Sequence, residues 1–145
     1  NSEVQVEEAQ KLLEKAGYKV VLKGISTTND VQDATTSLMK DVDAVFVPTD
    51  NTVASTMTMI GELSVEYKVP VIGGSTDMVD AGGLLTYGTN YEALGRQTAK
   101  MAIKIIEGAD PAEVAVEYPE TVNLHVNEEM AKKLGIDVSK LSVEE

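Results

Sequence analysis

The chain has 145 residues, a formal net charge of −12 and no cysteine. This length fits one domain, and so acidic a surface repels the phosphate backbone, which excludes nucleic acid as a partner. Without cysteine the chain has no disulfides, thiol nucleophiles or cysteine-bound metals, and the single histidine, His125, cannot form a histidine-rich metal site.

Helical and extended patterns alternate along the chain, and residues that cap or break helices mark several boundaries. Ser2 followed three residues later by Gln5 has the form of a capping box, which predicts the start of a helix. Gly17 and Gly108 each follow an apolar helical repeat and predict its end. The patterns predict helix 2–16, strand 18–25, helix 30–40, strand 43–47, helix 53–67, strand 69–73, a helical turn at 77–81, strand 83–87, helix 91–107, extended pieces 114–118 and 122–126, and helix 128–134.

Strands that alternate with helices of this length indicate βα units and a parallel sheet. Right-handed crossovers then put helices on both faces of that sheet. We therefore expect an α/β fold with an open parallel sheet of the flavodoxin-like kind. Tyr87, which ends a predicted strand, is expected in the core, and Leu94, Met101 and Ile105 are expected on the inner face of helix 91–107.

Clusters of polar residues follow the predicted strands, and they indicate where a ligand binds. They occupy 26–29, 49–52, 75–77 and 89–91. In an open parallel sheet such loops meet at the carboxyl edge, where ligands of these folds bind. Side chains of Ser, Thr and Asn suit hydrogen bonding to a small polar solute, whereas acid–base chemistry needs a tuned base beside an acid or nucleophile. The clusters therefore predict a binding site, with no enzyme active site, cofactor or metal.

Helix capping explains each cluster taken singly, because Ser, Thr, Asp and Asn are the preferred N-caps. Asp50 alone fits a cap or turn as well as it fits a ligand contact, but Asp50, Asn51 and Thr52 together exceed what a cap requires. Tyr91 either covers the start of its helix or stacks on a ligand. We expect His125 to be structural.

The run VDAVFVPTDNTV at 42–53 closely resembles a segment of the ABC-type substrate-binding proteins whose best-known members bind tryptophan or tyrosine. Residues 69–73, 83–98, 106–111 and 127–136 resemble later segments of the same family, in the same order and with the same spacing. The similarity runs along nearly the whole chain.

This resemblance implies part of a two-lobed type I periplasmic binding protein. Residues 1–118 would be its C-terminal lobe, and 119–145 a hinge-proximal segment and closing tail. A small solute, by analogy an aromatic amino acid, would be held between the lobes, and closure would present both lobes to an ABC permease. Because an N-terminal lobe and a strand ahead of Ser2 are missing from the sequence, we expect a fragment. The full-length protein would be extracytoplasmic and lipid-anchored.

On this interpretation Asp50 pairs with an ammonium group of the ligand, because a carboxylate at a dry cleft wall favours a cation. Tyr91 offers a ring face. Hydrogen bonds to the ligand are predicted for Thr49, Asn51, Thr52, Ser75 and Thr76.

Three other functions compete with solute binding for transport. A signalling receiver domain could use Asp50 after its third strand, but the acidic pair that it requires is missing, and no lysine lies between Tyr87 and Lys100. A nucleotide-binding enzyme would carry a dinucleotide or P-loop glycine pattern, and neither is present. A ligand-sensing domain of a regulator or receptor with the same lobe fold stays open.

Overall fold

The computed structural model describes residues 2–89, 91–120 and 122–141, which contain four strands and seven helices. The strands are β1 (Val45–Val47), β2 (Val71–Gly73), β3 (Leu85–Thr89) and β4 (Val122–Val126). The helices are α1 (Glu3–Lys15), α2 (Thr28–Met39), α3 (Asn51–Ala54), α4 (Met57–Tyr67), α5 (Thr76–Asp80), α6 (Tyr91–Ile106) and α7 (Glu128–Leu134).

The strands form one open sheet in the order β1-β2-β3-β4. The first three strands are parallel, and β4 is antiparallel to β3. The predicted α/β class and open sheet are confirmed, but the sheet is not parallel throughout. β4 runs the other way because the chain leaves β3 at Thr89, makes an excursion through 91–120, and returns at Val122 directly opposite its point of exit.

The predicted strand at 18–25 is wrong for the described residues, which have no strand there. A strand exists only when a neighbour accepts and donates its backbone hydrogen bonds. In the flavodoxin-like strand order 2-1-3-4-5, residues 18–25 would be the second strand and their neighbour the first strand, which is expected ahead of Ser2 and which the described residues do not contain. For the same reason β1 is paired within the described chain on its β2 side alone.

The main core lies on one face of the sheet. Val45, Val47 and Val71 point alternately into it, as the period of a strand requires, and meet helix residues that are at most 2% exposed. Those helix residues are Val31 of α2, Met57 and Ile60 of α4, and Met78 of α5. On the opposite face Phe46 is 42% exposed and Tyr87 is 55% exposed, so the expectation that Tyr87 is a core residue is wrong.

Helix α6 lies outside this core, and Gln97 is its one buried residue among those described. The Gln97 carboxamide donates hydrogen bonds to Glu117 Oε2 at 3.0 Å and to the Tyr118 carbonyl at 2.9 Å. Ile105 is 38% exposed, which contradicts the predicted inner face. The helix therefore packs on the segment that follows it. None of the described helices combines the length and the apolar composition needed to cross a bilayer.

Polar contacts fasten β4 and α7 to the end of α5. The imidazole Nε2 of His125 lies 2.7 Å from Asp80 Oδ1, in keeping with a structural role for this histidine. The Asn127 carboxamide donates to the Val79 carbonyl at 3.0 Å, and its oxygen caps α7 by accepting from the Met130 amide. The strand that returns from the excursion is thereby joined to the main core.

Replacing Ser64 with alanine is expected to destabilise the fold by about 1–3 kcal/mol. The fully buried Ser64 hydroxyl donates to the Val69 carbonyl at 2.7 Å, and its loss leaves that carbonyl without this donor. Ser55→Ala is the matched control, since its hydroxyl makes the same kind of bond to Thr52 but is exposed, so that water replaces it. Urea denaturation compares the two variants, and an equal loss in both would contradict this account.

Asp30→Asn is expected to lower the melting temperature at neutral pH. The Asp30 carboxylate accepts from the Thr27 amide at 2.8 Å, the Thr27 hydroxyl and the Ser26 amide, and the Thr27 amide is the largest cause that holds its pKa below the ordinary 3.8. A lowered pKa in the folded state stabilises the fold above 3.8, and this contribution disappears as the pH falls through the lowered value.

Melting curves recorded from neutral pH downward therefore measure the contribution of Asp30. The difference between the wild type and Asp30→Asn is expected to shrink as Asp30 becomes protonated. Asp33→Asn, an exposed position beyond the first turn of α2, serves as the control and is expected to melt like the wild type. A difference for Asp30→Asn that stays constant with pH would rule out the capping explanation.

Candidate ligand-binding site

The loops that follow β1 and β2 lie directly against each other at the carboxyl edge of the sheet. The Thr49 hydroxyl donates to the Gly74 carbonyl at 3.0 Å. A Cβ atom on Gly74 would collide with the backbone nitrogen of Thr49 and would lie 2.7 Å from the Pro48 carbonyl carbon. Because only glycine permits this approach of two backbones, Gly74 fixes how closely the two polar loops meet.

A cavity of about 160 Å³ opens where these loops meet the start of α6. It is lined by Thr49, Asp50, Asn51, Ala54, Ser75, Asp77, Met78 and Tyr91. Three of the predicted polar clusters therefore converge on one concave surface. A complete pocket for a small molecule has roughly 300–1,000 Å³, so this surface has the size of a partial wall.

Most of the predicted binding residues line the cavity, and two do not. Thr49, Asp50, Asn51, Ser75 and Tyr91 line it, whereas Thr52 and Thr76 are not among its lining residues. The Thr52 amide donates to Asp50, and the Thr76 hydroxyl donates to Asp77 Oδ1 at 3.3 Å, so both support residues that do line it.

The polar cluster at 26–29 is not part of this cavity, which corrects the expectation that it joins the others. Because the described residues form no strand at 18–25, this loop does not follow a strand of the sheet. The amides of Ser26 and Thr27 bind the Asp30 carboxylate at the start of α2. Asn90, in the fourth cluster, lies outside the described residues.

Asp50 caps α3. Its Oδ1 accepts from the amides of Thr52 at 2.9 Å and Val53 at 3.2 Å, and its Oδ2 accepts from the Ser2 hydroxyl at 3.3 Å. Both carboxylate oxygens are thus engaged within the protein. The capping alternative for Asp50 is confirmed, and its pairing with a ligand ammonium stays a prediction.

The start of α1 also reaches the site, which sequence reasoning missed. Ser2 has helical backbone angles, φ −80° and ψ −17°, and makes no side-chain capping bond, so the predicted capping box is wrong. Its hydroxyl donates to Asp50 instead, and the Gln5 carboxamide oxygen accepts from the Thr49 amide at 3.0 Å. These partners lie 48 and 44 residues away in sequence, so no local pattern reveals them.

Asp77, Met78 and Ala54 complete the lining; Asp77 lies in the predicted polar cluster 75–77 but was assigned no ligand contact, and Met78 and Ala54 were not predicted at the site. Asp77 is exposed, whereas Met78 is only 2% exposed. The position of Asp77 directly after Ser75 and Thr76, at the end of a polar cluster, was the one available signal. In physical terms a carboxylate next to a thioether and the Tyr91 ring offers both polar and apolar contacts.

The charge of the lining has one sign. Asp50 and Asp77 are its ionisable acids, and the lining contains no lysine, arginine or histidine. Such a surface attracts a cationic group and repels an anionic one. Among the described residues, no group of three or more histidine, aspartate or glutamate side chains could hold a metal ion.

Comparison with known proteins identifies a family that matches nearly the whole chain. The profile of a family described as ABC transporter substrate binding protein matches residues 1–144. A tyrosine-binding protein of Clostridioides difficile (strain R20291) is 35% identical over 144 residues, which cover 99% of this chain and 41% of that protein.

Solved structures agree in fold with this chain. A ligand-free, open substrate-binding protein with adhesive properties from Clostridium difficile superposes with a TM-score of 0.80 at 40% identity, over 99% of this chain and 48% of that one. An ABC domain from Streptococcus pneumoniae in complex with L-Trp superposes with a TM-score of 0.84 at 34% identity, over 97% of this chain and 48% of that one. The chain thus spans less than half the length of these relatives.

Gly74→Ala is expected to cost about 1–3 kcal/mol, because the new methyl group forces the backbone of Thr49 away. Gly95→Ala is the matched control, since a Cβ there meets nothing within 4 Å and alanine favours the interior of α6. Thermal and urea denaturation measure both. A Gly74→Ala protein as stable as the wild type would show that the two loops are free to separate.

Proposed function

The chain belongs to the family of ABC transporter substrate-binding proteins, and from that membership we propose that it forms one wall of a cleft that captures a small solute for an importer. The family match over the whole chain favours this function over a receiver domain or a nucleotide-binding enzyme. The observation that carries the proposal is the convergence of three polar loops on one concave surface.

The size of that surface supports a second wall. A cavity of about 160 Å³ is too small to enclose most of a small solute. Relatives that are more than twice as long have room for another lobe. We therefore place the solute between this lobe and an N-terminal one, with closure of the two as the binding motion.

The segment 91–120 also supports the presence of a second lobe. Ile106, Val116 and Tyr118 are each more than 80% exposed, and such apolar side chains gain stability when another surface covers them. We propose that this segment faces the second lobe and that Thr89 and Val122 lie at the hinge. The division of the chain at residue 118 stays a prediction.

An aromatic amino acid is the solute class that we propose. The relatives include a tyrosine-binding protein and a domain that holds L-Trp. The wall offers what such a ligand requires, namely carboxylates for its ammonium group and the Tyr91 ring and Met78 for its apolar part. The hydroxyl groups in the lining have no imidazole or thiolate beside them, so we propose binding without chemical conversion.

From the family we also propose that the full-length protein is anchored by a lipid on the outer side of the cell membrane.

Calorimetric titration of the natural full-length protein tests this function. Tyrosine, tryptophan and phenylalanine are the test ligands, with leucine, glutamate and arabinose as controls. We expect saturable one-to-one binding of at least one aromatic amino acid, together with a rise in melting temperature that grows with ligand concentration. A folded protein that binds none of the three would refute the assigned ligand class.

A further inference from the structure

We propose that Asp77, and not Asp50, is the carboxylate that holds the ammonium group of the ligand, and that the carboxylate of the ligand is bound by groups outside this wall. The inference rests on the proposed function, and it assigns different tasks to the two acids of the cavity. It also makes the amino group the part of the ligand that this lobe recognises.

Asp50 is already engaged in holding the site together. Three hydrogen bonds, from two backbone amides of α3 and from the Ser2 hydroxyl, occupy both of its oxygens. Turning the carboxylate toward a ligand would remove the cap of α3 and break the link to α1. Its geometry therefore suits a structural role, in which it keeps Asn51 and the start of α1 at the rim of the cavity.

Asp77 has the opposite surroundings. It lines the same cavity and is exposed. Within the described residues its carboxylate accepts a single hydrogen bond, a long one of 3.3 Å from the neighbouring Thr76 hydroxyl to Oδ1. Its Oδ2 has no such partner within the described chain. An ammonium group has three donors and gains most from a carboxylate whose oxygens are still available.

The rest of the lining explains why the carboxylate of the ligand goes elsewhere. Two acids and no basic residue line the cavity, so an anionic group placed there would be repelled by both. The Tyr91 ring and Met78 share the cavity with Asp77 and offer apolar contact to the side chain of the ligand. An amino acid oriented in this way presents its carboxylate to the opposite side of the cleft.

Two analogues of tyrosine separate these contacts in the natural full-length protein. The first, 3-(4-hydroxyphenyl)propionate, lacks the amino group, and the second, tyramine, lacks the carboxylate. Each is titrated, beside L-tyrosine, into the wild type and into Asp77→Asn, Asp50→Asn and Asp80→Asn. Asp80→Asn is the charge control for the binding preference alone, because it removes the same charge from the same helix, α5, outside the cavity, but also removes the contact with His125.

The wild type is expected to prefer tyrosine over the analogue without the amino group by about 10- to 100-fold. Asp77→Asn is expected to reduce that preference to nearly one, with an unchanged melting temperature. Asp50→Asn is expected to keep the preference and to melt at a lower temperature, and Asp80→Asn to keep the preference. Loss of the carboxylate, measured with tyramine, is expected to weaken binding by the same factor in the wild type and in Asp77→Asn.

The possible failures are distinguishable. If the wild type binds tyrosine and Asp77→Asn keeps the full preference for the amino group, the role of Asp77 is refuted while the proposed function stands. If Asp50→Asn loses the preference instead, the two acids have exchanged roles and the inference is again refuted. If the folded wild type binds neither tyrosine nor any other aromatic amino acid, the proposed function itself fails.

Discussion

The Thr49 hydroxyl donates to the Gly74 carbonyl where the two backbones lie too close for a side chain at position 74, and the arrangement of the site follows from this contact. It brings the loops after β1 and β2 together at one edge of the sheet. The first loop then begins α3 with Asp50 as its cap, and the second begins α5 with Asp77 in its first turn. A strong local constraint on the backbone thus positions both acids, although neither takes part in the contact itself.

Sequence reasoning succeeded where structure depends on neighbours along the chain. The apolar runs at β1, β2 and β3 identified the strands, and the polar residues after them identified the carboxyl edge where Thr49, Ser75 and Tyr91 meet. This inference needs only periodicity and the rule that parallel strands end on the same side. The resemblance of 42–53 to substrate-binding proteins rests on the same local run, and the family match confirms it.

Sequence reasoning failed where the structure depends on residues that are distant along the chain. Residues 18–25 have the composition of a strand but find no strand to pair with among the described residues, and Tyr87, in the middle of β3, is 55% exposed. Ser2 and Gln5 fit a capping box, yet their side chains bind residues more than forty positions away. Capping explained Asp50 as well as ligand binding did; its bonds to the amides of Thr52 and Val53 confirm the cap, and its contact with a ligand stays a prediction.

The pairing of Thr89 with Val122 has a mechanical consequence. The polypeptide between them, α6 and the segment 107–120, is attached to the sheet through two strands that backbone hydrogen bonds hold side by side. A single connection would let that polypeptide swivel freely, but a double one resists twisting and sliding and yields most easily to bending across its width. For the hinge proposed at Thr89 and Val122, this pairing restricts twisting more than bending.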